Sequence, residues 1–134
     1  MFTDPRLEAD STYITDLDLC QVRLNHNAAF PWILLIPRQP DLVEIIDLSA
    51  RDQQVLMQDI VRASKVMKQL FNPTKINVAS LGNVVPQLHV HIIARYQSDS
   101  AWPGPVWNSG RQDVYDPSLL RMRVDLISQE ILNF

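Results

Sequence analysis

Apolar and polar residues alternate with a period of two in two stretches of the chain, residues 17–24 and 87–93. Such alternation places apolar and polar side chains on opposite faces, as in a half-buried β-strand. The nearly continuous apolar run from Phe30 to Ile36, with Pro31 at its entry, predicts a central strand that forms an antiparallel hairpin with 17–24. A further strand is predicted over residues 75–81, before the strand that begins at residue 87 and ends near Tyr96.

Apolar residues spaced three and four apart predict two main helices. The first begins at Ser49, which with Asp52 resembles a capping box, and it ends at Phe71-Asn72-Pro73. The second starts at Asp116-Pro117, and a short helix is predicted over residues 4–10. Pairs of adjacent strands separated by helices predict an α+β domain: an antiparallel sheet with a long central helix and a C-terminal helix on one face.

The 134 residues predict a single domain over 1–134, with a core at about 16–96, a loop at 97–116 and a C-terminal helix at about 117–132. The formal net charge of −3 provides no basic field for a nucleic acid. No run approaches the roughly 18 apolar residues of a membrane span. We therefore expect neither nucleic acid nor membrane as a partner.

The single cysteine and residues 1–6 bear on the cellular location of the protein. Cys20 is the single cysteine, and its apolar surroundings predict a buried small hydrophobe, consistent with a reducing, cytoplasmic location. Residues 1–6 lack the basic and apolar regions of a secretory signal.

The strand at 87–93 concentrates candidate chemistry. Its alternation places Gln87, His89 and His91 on one face, whereas Leu88, Val90 and Ile92 lie on the other. If the helices cover the apolar face, the histidine face is left open to solvent or to a ligand.

Three interpretations of the paired histidines remain open at this point. They can be ordinary polar residues on a one-sided sheet. They can be two zinc ligands, although His26 is the only other histidine and no Cys-x-x-Cys or Glu-x-x-His pattern is present, so we expect no metal. Finally, a neutral imidazole can attack phosphorus while a second imidazole, when protonated, stabilises the anionic oxygen.

The segment Gln87-Leu88-His89-Val90-His91-Ile92-Ile93 resembles the histidine triad (HIT) motif, with Gln87 at the first histidine position. The hairpin, the helix near Ser49 and the strand at 75–81 also fall where that fold places them. Residues 82–91, together with Ala101-Trp102-Pro103 and Pro105-Val106-Trp107, resemble a bacterial subgroup often described as diadenosine polyphosphate hydrolases.

The resemblance implies a HIT-like fold and a set of residue roles. His89 matches the nucleophile that attacks an α-phosphorus and forms a nucleotidyl-histidine, and His91 matches the histidine that contacts phosphate oxygens and assists the leaving group. Asn25 would contact the sugar, Asn83 the phosphate, and Gln87 would orient the phosphate. Apolar residues of the hairpin would form the base pocket.

Two departures from the family pattern reduce the positive charge expected at the site. Gln87 cannot become cationic, and Pro31-Trp32-Ile33 stands where members often carry Pro-Gly-His.

The resemblance implies a homodimeric hydrolase or nucleotidyl transferase acting on dinucleoside polyphosphates or related nucleotides. It implies no required cofactor, although a divalent cation can accompany the substrate. The alternative is a nucleotide-binding protein with little or no catalysis.

The loop at 97–110 is long for a compact domain and carries Trp102 and Trp107. Three roles are open for these tryptophans: they can cover the site, lie at a dimer interface, or anchor the loop.

Overall fold

A computed structural model describes residues 3–134. Its order is three strands, a long helix, two strands and a final helix, preceded by a short helix. The helices are α1 (Pro5–Ala9), α2 (Ala50–Phe71) and α3 (Pro117–Leu132); the strands are β1 (Ser11–Asp16), β2 (Cys20–Asn25), β3 (Trp32–Pro37), β4 (Lys75–Ala79) and β5 (Val90–Arg95). The strands form one antiparallel sheet in the order β1-β2-β3-β5-β4, so the predicted α+β fold is confirmed.

The predicted helix ends are confirmed because local capping fixes them. The Ser49 side chain accepts a hydrogen bond from the Asp52 N–H at 3.1 Å, and Asn72 ends α2 in the left-handed conformation with φ of 45°. The Asp116 carboxylate accepts from the first backbone N–H groups of α3. The predicted short helix is α1, and Asp4 caps it. The lack of a secretory signal stays a prediction, since Met1 and Phe2 lie outside the described residues.

The N-terminal part of the sheet differs from the prediction. The strand predicted over 17–24 begins only at Cys20, because residues 17–19 form a turn whose backbone is held by Asp59 of α2. The buried Asp59 carboxylate accepts from the N–H groups of Leu19 and Cys20, each at 3.0 Å. The preceding strand, β1, has no regular alternation because its register with β2 shifts between Tyr13 and Thr15.

The strands around the histidines are shorter than predicted. β4 ends at Ala79 instead of residue 81, and β5 begins at Val90, so His89 lies immediately before the strand. Residues 80–89 form an irregular segment between the two strands. Within it, Gly82 has a positive φ of 77°, a conformation that favours glycine.

The main core lies on the face of the sheet that α2 and α3 cover. Leu88, Val90 and Ile92 are buried there, as predicted, with Ile127 and Ile131 of α3.

The opposite face, predicted to be open, is covered by a second cluster that joins α1 and the loop after β5 to the sheet. Its buried members are Leu7, Phe30, Trp32, Leu34, Ile36, Ile93 and Val106. The histidine face is therefore largely covered and is not open to solvent, although His89 still lines a cavity. Within residues 3–134, no helix combines the length and apolarity needed to cross a membrane.

Candidate active site

His89 and His91 lie side by side on the second face of the sheet. Their ring centroids are 5.0 Å apart and the rings are nearly perpendicular, at 74°. Only 6% of His89 and 7% of His91 is exposed. Two imidazoles this close, and largely withdrawn from water, can act on the same small group.

The hydrogen bond of His89 fixes its tautomer. Its Nδ1 lies 2.6 Å from the backbone carbonyl oxygen of Gln87. A carbonyl oxygen can only accept, so Nδ1–H is the donor, and the neutral ring carries its lone pair on Nε2. His89 therefore has the form that a nitrogen nucleophile requires.

His91 has the opposite tautomer. The indole N–H of Trp32 donates to Nδ1 of His91 at 3.0 Å, so the neutral ring carries its proton on Nε2. Burial, and to a lesser extent the neighbouring His89, lowers the pKa of His91 to about 3. Of the interpretations left open by the sequence, stabilisation by a protonated second imidazole does not fit His91, because at neutral pH this ring is an uncharged N–H donor.

Two tryptophans enclose the His91 ring. Trp107 meets it edge to face at a centroid distance of 4.9 Å, and Trp32 lies at 5.6 Å. The two indoles also contact each other at 5.5 Å. Trp107 remains 43% exposed, so it forms an aromatic surface between His91 and solvent.

A buried ion pair fixes the loop that carries Trp107. Arg95, at the end of β5, donates to both carboxylate oxygens of Asp99 at 2.8 and 3.0 Å. It also donates to the Gly104 carbonyl and the Asn77 side chain, both at 2.8 Å. Burial opposes ionisation of Asp99, but the hydrogen bonds and charge of Arg95, together with two backbone N–H groups, lower the pKa of Asp99 to about 2. Of the three roles left open, the structure places Trp107 against the site, with Arg95 holding its loop.

Two cavities flank the histidines. The hairpin cavity, about 420 Å³, is lined by Asp10, Asn25, His26, Trp32 and Trp107 among others. The His89 cavity, about 250 Å³, is lined by Glu44, Ile45, Ser80, Gly82, Gln87 and His89 among others. The Trp32–Trp107 pair separates His91 from the hairpin cavity. A larger cavity of about 550 Å³ lies along α3, and no histidine lines it.

The other predicted site residues fall in different places. Asn25, at the end of β2, lines the hairpin cavity and accepts the Asn27 N–H at 2.8 Å. Gln87 lines the His89 cavity, and its side-chain oxygen accepts the Asp4 N–H at 2.7 Å. Asn83 is exposed in the segment before β5 and lines neither cavity.

Sequence reasoning missed the role of Trp32 because it lies within an apolar run that reads as core. The sequence signal for this role was the indole N–H of Trp32, the one side-chain donor in the apolar run, since a buried tryptophan N–H usually has a hydrogen-bond acceptor. From the sequence, His26 has no predicted chemical role other than that of a third metal ligand; in the structure it lines the hairpin cavity, with Nε2 2.7 Å from the Thr12 hydroxyl. Among residues 3–134, no cluster of three His, Cys, Asp or Glu side chains could hold a metal ion.

Comparison with known proteins identifies the family. The profile of the HIT domain matches residues 6–98, and the chain therefore belongs to the HIT family. Its structure resembles a histidine triad protein of Bradyrhizobium japonicum at 43% identity, with 97% of each chain covered and a TM-score of 0.94. A histidine triad protein of Marinobacter aquaeolei is 37% identical, with 98% of this chain and 96% of the other covered and a TM-score of 0.94.

A more distant structure belongs to an enzyme. Plasmodium falciparum diadenosine triphosphate hydrolase, in complex with cyclomarin A, is 19% identical, with 90% of this chain and 76% of the other covered and a TM-score of 0.64. At that identity the likeness concerns the fold alone. Comparison with curated protein sequences gave no match.

Proposed function

We propose that this protein hydrolyses nucleotides at an α-phosphate through a covalent intermediate on His89. The observation that carries the proposal is the 2.6 Å contact between His89 Nδ1 and the Gln87 carbonyl, which leaves the Nε2 lone pair for attack. We further propose dinucleoside polyphosphates or related nucleotides as substrates, as the subgroup resemblance implies. The same covalent intermediate would also permit nucleotidyl transfer to an acceptor other than water.

Two displacements at phosphorus complete the reaction. In the first, Nε2 of His89 forms a P–N bond while the bond from the α-phosphorus to the leaving-group oxygen breaks. The leaving group keeps that electron pair and is protonated by water. In the second, the oxygen of water attacks the same phosphorus and the P–N bond breaks. Its electron pair returns to Nε2 of His89, the proton lost by the attacking water goes to solvent, and a nucleoside monophosphate is released. The neutral Nε2–H of His91 donates to a phosphate oxygen in both steps.

The hairpin cavity is the proposed nucleoside site. It combines the indoles of Trp32 and Trp107, which suit a flat base, with the Asn25 amide, which we assign to the sugar hydroxyls. Gln87 and Asn83 are proposed to orient the phosphates, Gln87 from within the His89 cavity and Asn83 from the neighbouring exposed segment.

The charge of the His89 cavity bears on the leaving group. Among the described residues that line it, Glu44 is the only charged side chain at neutral pH apart from the titratable His89. A polyphosphate leaving group would bring several negative charges into this cavity. We therefore propose that a divalent cation accompanies a polyphosphate substrate, whereas the protein itself requires no cofactor. The same shortage of positive charge favours the alternative, a nucleotide-binding protein with little or no catalysis.

A second copy of this chain is the proposed partner. β4 lies at the edge of the sheet, and in the part of the chain that the structure describes its outer side pairs with no strand. Val78 of β4 and Val61 of α2 line a common cavity of about 500 Å³ and are 48% and 44% exposed. An apolar edge strand is a ready surface for pairing with another chain.

The cytoplasm is the proposed location. Burial is the main cause of the raised pKa of Cys20, which keeps it a protonated, inert thiol.

Intact-mass spectrometry with product analysis tests the proposal. Wild-type protein and His89→Ala are mixed with a diadenosine polyphosphate, with and without Mg²⁺, and denatured without acid because a P–N bond is acid-labile. We expect wild type to gain one nucleotidyl group and release nucleoside monophosphate, and His89→Ala to do neither. Gln129→Ala, on the exposed side of α3, is the control that should match wild type. Equal product from wild type and His89→Ala would overturn the role of His89, and tight binding without product would establish the binding protein instead.

A further inference from the structure

We propose that Trp32 is a positioning residue for His91: its indole N–H holds His91 in the tautomer whose proton is on Nε2, so that His91 acts as a neutral donor. The tautomer itself follows from the free protein. Its use toward a phosphate oxygen rests on the function proposed above.

The sheet register makes this contact possible. In the antiparallel pair of β3 and β5, Leu34 lies opposite His91, and Trp32 lies opposite Ile93. Trp32 is thus the diagonal neighbour of His91 on the same face, at a separation that aromatic side chains can bridge. The bond is 3.0 Å long, and Trp32 is buried, so water does not compete for the indole N–H.

A tryptophan N–H allows only one role, that of acceptor, to the nitrogen atom that it contacts. An indole N–H donates and cannot accept, and it does not titrate in the physiological range. A histidine or glutamine in the same place could donate or accept, and would leave both tautomers of His91 accessible. Trp32 therefore assigns Nδ1 of His91 as an acceptor as long as the imidazole is neutral.

None of the groups that contact His91 favours a proton on its Nδ1. His89 is the titratable group against it, with ring centroids 5.0 Å apart. The register partners of His91 are Leu34 on β3 and Ala79 on β4, and both are uncharged. Trp107 packs on the ring from the loop after β5. No carboxylate among these neighbours would draw a second proton onto the imidazole.

A consequence for the reaction follows. Since Nδ1 is occupied by the indole, His91 presents the same neutral Nε2–H to the substrate before and after each displacement. It contributes orientation and hydrogen bonding to phosphate oxygen, and the leaving group takes its proton from water.

Long-range ¹H–¹⁵N NMR of histidine-labelled protein tests the tautomer directly. In wild type we expect His91 to show a protonated Nε2 and an unprotonated Nδ1 from pH 5 to pH 8. Trp32→Phe keeps the ring but removes the donor, and we expect a mixture of tautomers. Trp107→Phe is the matched control, because Trp107 touches the same imidazole through its ring at 4.9 Å; it should retain the single wild-type tautomer.

The NMR result decides the proposal even if the protein has no measurable enzymatic activity. A wild-type His91 with its proton on Nδ1, or an unchanged single tautomer in folded Trp32→Phe, would overturn the proposal. If Trp32→Phe does not fold, as judged from its amide spectrum, the wild-type spectrum alone decides the tautomer. Where turnover is present, we expect kcat of Trp32→Phe to fall about fivefold, as for loss of one hydrogen bond, and an unchanged kcat would count against the use of the His91 Nε2–H toward phosphate.

Discussion

The indole N–H of Trp32 donates to Nδ1 of His91 at 3.0 Å, between two neighbouring strands of the sheet. Two residues earlier on the histidine segment, Nδ1 of His89 lies 2.6 Å from the Gln87 carbonyl, to which it donates. The two adjacent imidazoles are thus held in opposite tautomers. One presents a lone pair on Nε2 and the other a proton, and the proposed reaction uses the first for attack on phosphorus and the second as a donor to a phosphate oxygen.

Replacement of Gln87 by histidine tests whether charge limits the reaction. An imidazole can become cationic; in that form both ring nitrogens donate, so the bond from the Asp4 N–H, which the Gln87 side-chain oxygen now accepts at 2.7 Å, is given up. We expect Gln87→His to turn over a dinucleoside polyphosphate roughly tenfold faster, in line with one charge-assisted hydrogen bond. Steady-state kinetics would show this. Gln87→Leu, which removes the amide without adding charge, should be slower than wild type. Unchanged or reduced turnover in Gln87→His would count against a limit set by charge.

The Arg95–Asp99 pair should be essential for stability. The two side chains are only 2% and 7% exposed, so Asp99→Asn leaves a buried guanidinium without its counter-charge. We expect a loss of about 3 kcal/mol in the free energy of unfolding, measured by urea denaturation. Asp113→Asn breaks the exposed pair with Arg111 and is the matched control, for which no measurable loss is expected. Similar effects of the two substitutions would contradict the structural role of the Arg95–Asp99 pair.

The same pair predicts a defined acid sensitivity. The pKa of Asp99 is lowered from an ordinary value of 3.8 to about 2, so its stabilisation is fully present above pH 3.8 and is lost as the pH falls through 2. Tryptophan fluorescence should then report release of Trp102 and Trp107. Because other carboxyl groups also titrate there, the quantity to measure is the difference between wild type and Asp99→Asn. A difference that stays constant from pH 5 to pH 2 would exclude Asp99 as the cause.

Association through β4 can be tested by a charge at its edge. Val78 is 48% exposed on β4, and a lysine there would place a charge in the proposed dimer interface. We expect light scattering after size exclusion to give a dimer mass for wild type and a monomer mass for Val78→Lys. Met122→Lys, on the exposed side of α3, is the control that should remain dimeric. A wild-type monomer, or a Val78→Lys dimer, would refute this interface.

Much of the fold is predictable from local patterns. The alternation at Leu88, Val90 and Ile92 placed these residues in the core, and Ser49 marked the start of α2, because strand geometry and helix capping depend on near neighbours in the chain. β1 escaped prediction because the shift between Tyr13 and Thr15 removes its period of two. The turn before Cys20 was not predictable because it depends on Asp59. This residue lies 40 and 39 residues after Leu19 and Cys20, whose backbone N–H groups it accepts.

The candidate site divides in the same way. By itself, the sequence determined that two histidines two residues apart point to the same side of an extended segment, because backbone geometry fixes which side chains face together. Its motif resembled that of the HIT family, to which the chain belongs. Only the tertiary structure decided which nitrogen of each ring carries the proton. For His91 that choice depends on Trp32, 59 residues earlier in the chain, and hydrogen-bond donors that distant are brought into contact only when the sheet register is complete.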